Sequence, residues 1–138
     1  MENKKNKILI IDDEKINITA LAYFLRPDYD IIVATDGAAG IEAAEKHLPD
    51  LILLDVIMPE MNGYEVLEKL KSSKTAGAIP VIFISGMNTV EDEEKGLALG
   101  AADYILKPFK NSIVKARVET QIKLIEYKRV IEELKKSN

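Results

Sequence analysis

Five residues whose chemistry suits phosphoryl transfer each follow a short apolar run of the chain. They are Asp12, Asp13, Asp55, Ser85 and Lys107. Carboxylates gathered at one place repel one another unless a cation compensates their charge. Mg²⁺ takes carboxylate oxygens as ligands, a lysine can hold a phosphate, and an aspartate can itself accept a phosphoryl group. The set therefore contains what phosphoryl transfer needs, namely groups that position the reactants and groups that neutralise charge.

The pattern of apolar residues indicates how these side chains meet. Apolar runs over residues 7–11, 30–34, 51–54, 80–84 and 103–106 predict five buried strands, with helical patterns between them. This alternation predicts an α/β fold, a doubly wound five-stranded parallel sheet in the flavodoxin-like strand order. All strands then point the same way and their carboxyl ends share one edge. Strands one and three are neighbours in that order, which brings the three carboxylates together.

Asp55 on its own supports a simpler interpretation. An aspartate at the end of a buried strand is often only the cap of the helix that follows. An acidic pair or a Lys-Pro after a strand also occurs by chance. The joint occurrence of all five groups at predicted strand ends is what favours a functional site.

Composition narrows the classes of function. A chain of 138 residues suits one domain with one sizeable core. Its net charge of −4 gives no support for direct nucleic-acid binding, because such domains are usually basic. The absence of cysteine excludes disulfides and thiolate chemistry, and the single histidine, His47, excludes a multi-histidine metal site. No apolar run suits a membrane span or a signal peptide, so the cytoplasm is the expected location.

The sequence resembles the receiver domain of response regulators in bacterial two-component signalling, over roughly residues 7–122. The motifs that carry this resemblance lie at all five predicted strand ends. They are Asp12-Asp13, LILLD ending in Asp55, Met58-Pro59, Met61-Asn62-Gly63, Ile84-Ser85-Gly86, Gly100-Ala101, Asp103-Tyr104 and Leu106-Lys107-Pro108-Phe109.

The resemblance implies a Mg²⁺ site built around the phosphoacceptor, Asp55. Asp13 and Asp55 would bind Mg²⁺ directly, and Asp12 would hold it through water. The backbone carbonyl of Ile57 would complete the protein ligands. Lys107 would pair with the phosphoryl group.

The resemblance also implies a signalling switch, and not a turnover enzyme. A sensor histidine kinase, a phosphotransfer protein or a small acyl phosphate would donate the phosphoryl group. Ser85 would then hydrogen-bond a phosphoryl oxygen, and Tyr104 would turn inward as Ser85 moves. These changes would alter the face formed by the fourth helix, fifth strand and fifth helix. The family also commonly has a cis peptide at the place of Lys107-Pro108.

Two apolar residues, Ile57 and Met87, lie at positions where the family varies between polar and apolar side chains. These positions flank the route of the water that hydrolyses the phosphoryl group. Because apolar side chains position water poorly, we expect slow autodephosphorylation.

Two other functions stay open at this point. A Mg²⁺-dependent phosphatase with an aspartate nucleophile uses a similar sheet, but it needs a second aspartate two residues later, where this chain has Ile57. A receiver fold that takes no phosphate could serve only for docking, and the complete set of five groups argues against it.

The predicted helix from Asn111 changes character along its length. It carries two successive apolar sets, Val114, Val118, Ile122 and Ile125, and then Leu124, Tyr127, Ile131 and Leu134. The first set is spaced to pack on the sheet, and the second follows the spacing of a coiled coil. We therefore assign residues 1–122 to the receiver domain and 123–138 to an extension. The extension is expected to form a homodimer or to lead to an output domain or effector; the alternative is a frayed tail.

Overall fold

The computed structural model describes residues 4–87 and 89–137, and within them five strands alternate with five helices. In chain order they are β1 Asn6–Ile11, α1 Lys15–Leu25, β2 Tyr29–Ala34, α2 Gly37–His47, β3 Leu51–Asp55, α3 Gly63–Lys71, β4 Val81–Ser85, α4 Val90–Ala98, β5 Asp103–Leu106 and α5 Asn111–Lys136. The predicted α/β class and the long C-terminal helix are both confirmed.

The strands form one parallel sheet in the order β2-β1-β3-β4-β5, as predicted. β1 and β3 are direct neighbours, with Ile11 opposite Leu54. β3 also pairs with β4, with Asp55 opposite Ile84. The residues after β1 and at the ends of β3 and β4 therefore meet at one edge.

Helices cover both faces of the sheet, which explains why the inner strands β3 and β4 are buried along their whole length. Alternate residues of a strand point to opposite faces. Leu9 and Ile52 accordingly lie in one apolar cluster together with residues of α2 and α3. Ile8 and Leu51 lie in a second cluster together with residues of α1 and α5.

Side-chain caps mark where α3 and α4 begin. Asn62 and Glu65 form a reciprocal capping box at the start of α3, where the Asn62 side chain accepts from the N–H of Glu65 at 3.0 Å. Thr89 and Asp92 form the same arrangement at the start of α4. The sequence pattern placed the start of that helix at Asn88, which lies outside the described residues.

Five strand boundaries differ from the sequence prediction. β1 and β2 each begin one residue earlier than predicted, at Asn6 and Tyr29. β4 begins at Val81 and not at Pro80, because proline has no N–H to donate to the ladder. The carbonyl of Pro80 still accepts from the N–H of Ile52 at 3.0 Å. Asp55 and Ser85 are the last residues of β3 and β4, where we predicted that they follow the strands. Strand pairing therefore fixes their backbones directly.

Helix α5 spans 26 residues and packs on the sheet only along its first part. Val114, Val118 and Ile122 are buried there. The four residues of the predicted coiled-coil set are 46% to 61% exposed. Further along, Arg129 forms an ion pair with Asp50 in the segment before β3. Among the described residues, no helix combines the length and the apolar character that a membrane span requires.

Candidate functional site

Asp55 lies at the carboxyl end of β3 with only 2% of its surface exposed. The N–H of Gly63 donates to the carbonyl of Val56 at 2.8 Å, and a Cβ at Gly63 would collide with the carbonyl oxygen of Asp55. Only glycine therefore allows α3 to begin this close to the strand end. Oδ1 of Asp55 accepts from Nζ of Lys107 at 3.3 Å. Oδ2 is buried and has no hydrogen-bond partner among the described residues.

Three more carboxylates lie beside Asp55. Asp12, Asp13, Glu14 and Asp55 each offer one oxygen, and these oxygens all lie within 4.8 Å of one another. The carboxylate of Asp12 accepts from the N–H of Glu14 at 2.9 Å, which turns the chain after β1 toward the site. Lys107 lies 3.6 Å from Asp12 and 3.8 Å from Glu14, so one ammonium group faces this carboxylate cluster.

The cluster shifts the ionisation of its own members. Burial, and then the charge of Asp12, raise the pKa of Asp55 from its ordinary 3.8 to about 6, although Lys107 and a backbone hydrogen bond from Ile57 act against this. Burial alone would lower the pKa of Lys107, but the charges of Asp55, Asp12 and Glu14 outweigh it and raise that pKa. Lys107 therefore stays a cation, and Asp55 carries an uncompensated cost of ionisation.

The donor set fits a hard divalent cation. All the clustered side-chain donors are carboxylate oxygens, which Mg²⁺ prefers to nitrogen or sulfur. The unpartnered Oδ2 of Asp55 is a buried acceptor that such a cation would satisfy. The positive charge would also offset the repulsion that raises the pKa of Asp55.

Ser85 and Tyr104 lie on the neighbouring strands and contact the chain after β4. Oγ of Ser85 is fully buried and accepts from the N–H of Met87 at 3.1 Å. Tyr104 is 5% exposed, and its hydroxyl donates to the carbonyl of Met87 at 3.2 Å. Tyr104 thus points inward, beyond the half-buried position that an alternating strand residue would take.

The structure brings together most of the residues that the sequence singled out. Asp12, Asp13, Asp55 and Lys107 share one cluster. The expected cis peptide between Lys107 and Pro108 is present. The role of the Ile57 carbonyl as a metal ligand stays a prediction.

Sequence analysis missed Glu14 as a member of the cluster. Its carboxylate lies 3.8 Å from Lys107 and within reach of Asp12, Asp13 and Asp55. The available signal was its place directly after the acidic pair. Glu14 occupies the N-cap position of α1.

The chain is similar to proteins of one family over most of its length. The family model of the response regulator receiver domain matches residues 8–119. A probable cyclic di-GMP phosphodiesterase of Vibrio cholerae is 42% identical over 115 residues, which are 83% of this chain and 26% of that protein. The alkaline phosphatase synthesis transcriptional regulatory protein PhoP of Bacillus subtilis is 42% identical over 114 residues, which are 82% of this chain and 47% of that protein.

A solved structure agrees with this match. The CheY-like response regulator receiver domain protein from Methanospirillum hungatei superposes with a TM-score of 0.83 and is 25% identical, over 91% of this chain and 99% of that one. The curated relatives are longer, and the chain spans about a quarter to a half of their length. The chain therefore belongs to the receiver domains of response regulators, the regulatory modules of two-component signalling.

Proposed function

We propose that the chain is a phosphorylation switch in which Asp55 accepts a phosphoryl group from a sensor histidine kinase, a phosphotransfer protein or a small acyl phosphate. The observation that carries this proposal is the state of the Asp55 carboxylate. One oxygen contacts Lys107, and the other is buried without a partner among the described residues. A structural cap would have its acceptors satisfied, whereas a nucleophile needs a free lone pair.

The positions of these groups support the following transfer. A carboxylate oxygen of Asp55 attacks phosphorus, and a new P–O bond forms as the P–N bond of the donor phosphohistidine breaks. The bonding electrons stay on the imidazole nitrogen, which takes up a proton. Lys107 lies 3.3 Å from Asp55 and neutralises charge on the phosphoryl oxygens, a contribution that is large in a buried site.

Mg²⁺ is the cofactor that we assign to this site. When bound, it would neutralise charge on the phosphoryl oxygens and relieve the repulsion among the carboxylates. Asp13 and Asp55 would hold it directly, Asp12 through water, and Ile57 through its carbonyl. Glu14 lies close enough to contribute further negative charge.

Phosphorylation would act on the fold through Ser85. Its hydroxyl hydrogen is free to donate to a phosphoryl oxygen, because the oxygen itself already accepts from Met87. The hydroxyl of Tyr104 donates to the carbonyl of the same residue, Met87. The phosphoryl group would favour this inward arrangement and so change the exposed face of α4, β5 and α5, as a shift between two populations.

The C-terminal part of α5 would transmit the signal. We propose residues 1–122 as the receiver domain and 123–138 as a connector. This division is supported by Ile122, the last buried residue of α5, and by the exposed apolar set beyond it. That set would pair two copies of the chain or meet an output domain. The names of its longer relatives, a phosphodiesterase and a transcriptional regulator, illustrate what such an output can be.

Intact-mass measurement tests the central claim. The chain is incubated with acetyl phosphate and Mg²⁺ beside an Asp55→Asn variant. We expect the mass increment of one phosphoryl group in the parent alone. An Asp103→Asn variant, which alters an aspartate paired with Arg117 outside the cluster, should be phosphorylated like the parent. No increment in the parent, or an equal one in Asp55→Asn, would disprove the assignment.

A further inference from the structure

We propose that Tyr64 is a positioning residue of the switch, which holds Met87 in place and thereby sets the position of Ser85. The proposal rests on the proposed function and adds to it a residue on α3. Tyr64 is 6% exposed and stands in the first turn of that helix, directly after Gly63.

The hydroxyl of Tyr64 faces two acceptors in the chain that leads from β4 into α4. It lies 3.3 Å from the carbonyl oxygen of Asp92 and 3.8 Å from Sδ of Met87. Burial is the main cause that raises the pKa of Tyr64 to about 12. The hydroxyl is therefore a hydrogen-bond donor throughout the physiological pH range.

Met87 is consequently held from three directions. Its Sδ faces Tyr64, its carbonyl oxygen accepts from Tyr104 at 3.2 Å, and its N–H donates to Ser85 at 3.1 Å. The last of these bonds occupies a lone pair of the serine oxygen and leaves the hydroxyl hydrogen for another acceptor. A displacement of Met87 would release Ser85 and alter the direction of that hydrogen.

The rings of the two tyrosines are joined by Phe83 of β4. Tyr64 and Phe83 meet edge to face with centroids 5.3 Å apart, and Phe83 and Tyr104 do so at 6.0 Å. Gly96 of α4 leaves room for this packing, since a Cβ there would lie 3.0 Å from both Phe83 and Tyr104. Lys95 places its ammonium 4.6 Å from the centre of the Tyr64 ring. The aromatic row therefore links α3, β4, β5 and α4.

Tyr64 also belongs to α3, whose first residue packs directly against the backbone of Asp55. The N–H of Gly63 is bonded to the carbonyl of Val56, and α3 can begin here only because Gly63 has no side chain. This hydrogen bond joins the residue after Asp55 to the residue before Tyr64. Tyr104 belongs to β5, so the two tyrosines contact Met87 from different elements of the fold.

Beryllofluoride binding with Mg²⁺ tests this role in the intact chain. We compare Tyr64→Phe, which removes only the hydroxyl, with Tyr104→Phe and with Tyr29→Phe. Tyr29 is a matched buried control in the other apolar layer, 8% exposed. The methionine methyl groups are labelled with ¹³C, and the signal of Met87 is assigned with Met87→Leu. Thermal unfolding of each variant shows that it is folded.

We expect Tyr64→Phe to bind beryllofluoride about three- to tenfold more weakly, the effect of losing one hydrogen bond. The Met87 methyl signal should shift or broaden, as in Tyr104→Phe, and Tyr29→Phe should match the parent in both respects. An unchanged affinity of Tyr64→Phe, or an unchanged Met87 signal, would overturn the proposal while leaving the proposed function intact. A parent that binds beryllofluoride no better than Asp55→Asn would overturn both.

Discussion

The Nζ atom of Lys107 lies 3.3 Å from Oδ1 of Asp55, although 52 residues separate them in the chain. The contact joins the segment after β5 to the end of β3, two strands that do not pair with each other. It therefore exists only in the folded sheet. Lys107 is 18% exposed at its side chain, so its charge is only partly screened by solvent.

Replacement of Lys107 by methionine should slow phosphorylation by acetyl phosphate by about a hundredfold, because one charge-stabilising donor is lost from a buried site. The phosphorylation rate follows from intact mass against time. Lys110→Met serves as the matched control, since Lys110 is an exposed lysine three positions away. Equal rates for parent and Lys107→Met would refute a role for this lysine in the transfer.

Without metal, Asp55 should destabilise the folded chain at neutral pH. Its folded-state pKa of about 6 lies above the ordinary 3.8. Asp55 therefore does not penalise folding below pH 4, where it is protonated, and the chain loses stability as pH rises through 6 and the buried carboxylate ionises. Asp55→Asn removes this loss and should raise the free energy of unfolding at pH 7 by about 1 to 3 kcal/mol. The gain should vanish at pH 4. Urea titrations in EDTA at both pH values measure it, and a gain that is independent of pH would contradict the explanation.

Mg²⁺ should raise the midpoint of thermal unfolding of the parent, since a ligand that binds only the folded state stabilises it. The effect should be much smaller for Asp13→Asn and unchanged for Asp30→Asn, an exposed aspartate on β2. It should also weaken below pH 6, where protonated Asp55 no longer offers a charged ligand. Scans at pH 7.5 and 5.5 with and without Mg²⁺ measure these differences. Equal stabilisation of parent and Asp13→Asn would place the metal elsewhere.

The phosphoryl group on Asp55 should be long-lived because Ile57 and Met87 offer no polar atom to orient water. Ile57 is 57% exposed beside the site. Ile57→Asn or Met87→Glu should shorten the half-life by about tenfold, less than a full general base supplies. The loss of the phosphoryl mass increment with time gives the half-life. Leu48→Asn is the control, 51% exposed and located before β3 at the opposite edge. Unchanged lifetimes in both site variants would remove this idea.

The apolar set on the distal part of α5 should support a dimer. Sedimentation at several concentrations should show association of the parent and a monomer for Ile131→Lys, which places a charge in the middle of this apolar set. Glu126→Lys changes an exposed residue outside this apolar set, and the variant should associate like the parent. The experiment is repeated with beryllofluoride. If the parent stays monomeric in both states, the apolar set does not support a dimer and is instead available to an output domain.

The sequence was sufficient for the sheet and for the residues at its edge. LILLD is a short apolar run between Pro49 and Pro59, which predicts a strand buried on both faces and places Asp55 at its end. The part played by Glu14 and Tyr64 does not, because each depends on a distance across elements. An exposed helix cap and a helix-start tyrosine have the same local pattern whether or not they reach the site. Only the packing of α3 against α4 shows that Tyr64 meets Met87.

The ion pair between Arg129 and Asp50 restrains the distal part of α5. Asp50 also accepts from the backbone N–H of Lys7 at 2.8 Å, so the pair ties the helix to the start of the sheet. A helix of 26 residues is about 39 Å long at 1.5 Å per residue. Arg129 lies near the distal end of that helix, so the ion pair restrains the helix far from the point where β5 leads into it. Because Arg129 is largely exposed, rising ionic strength weakens this ion pair and should loosen the distal part of α5.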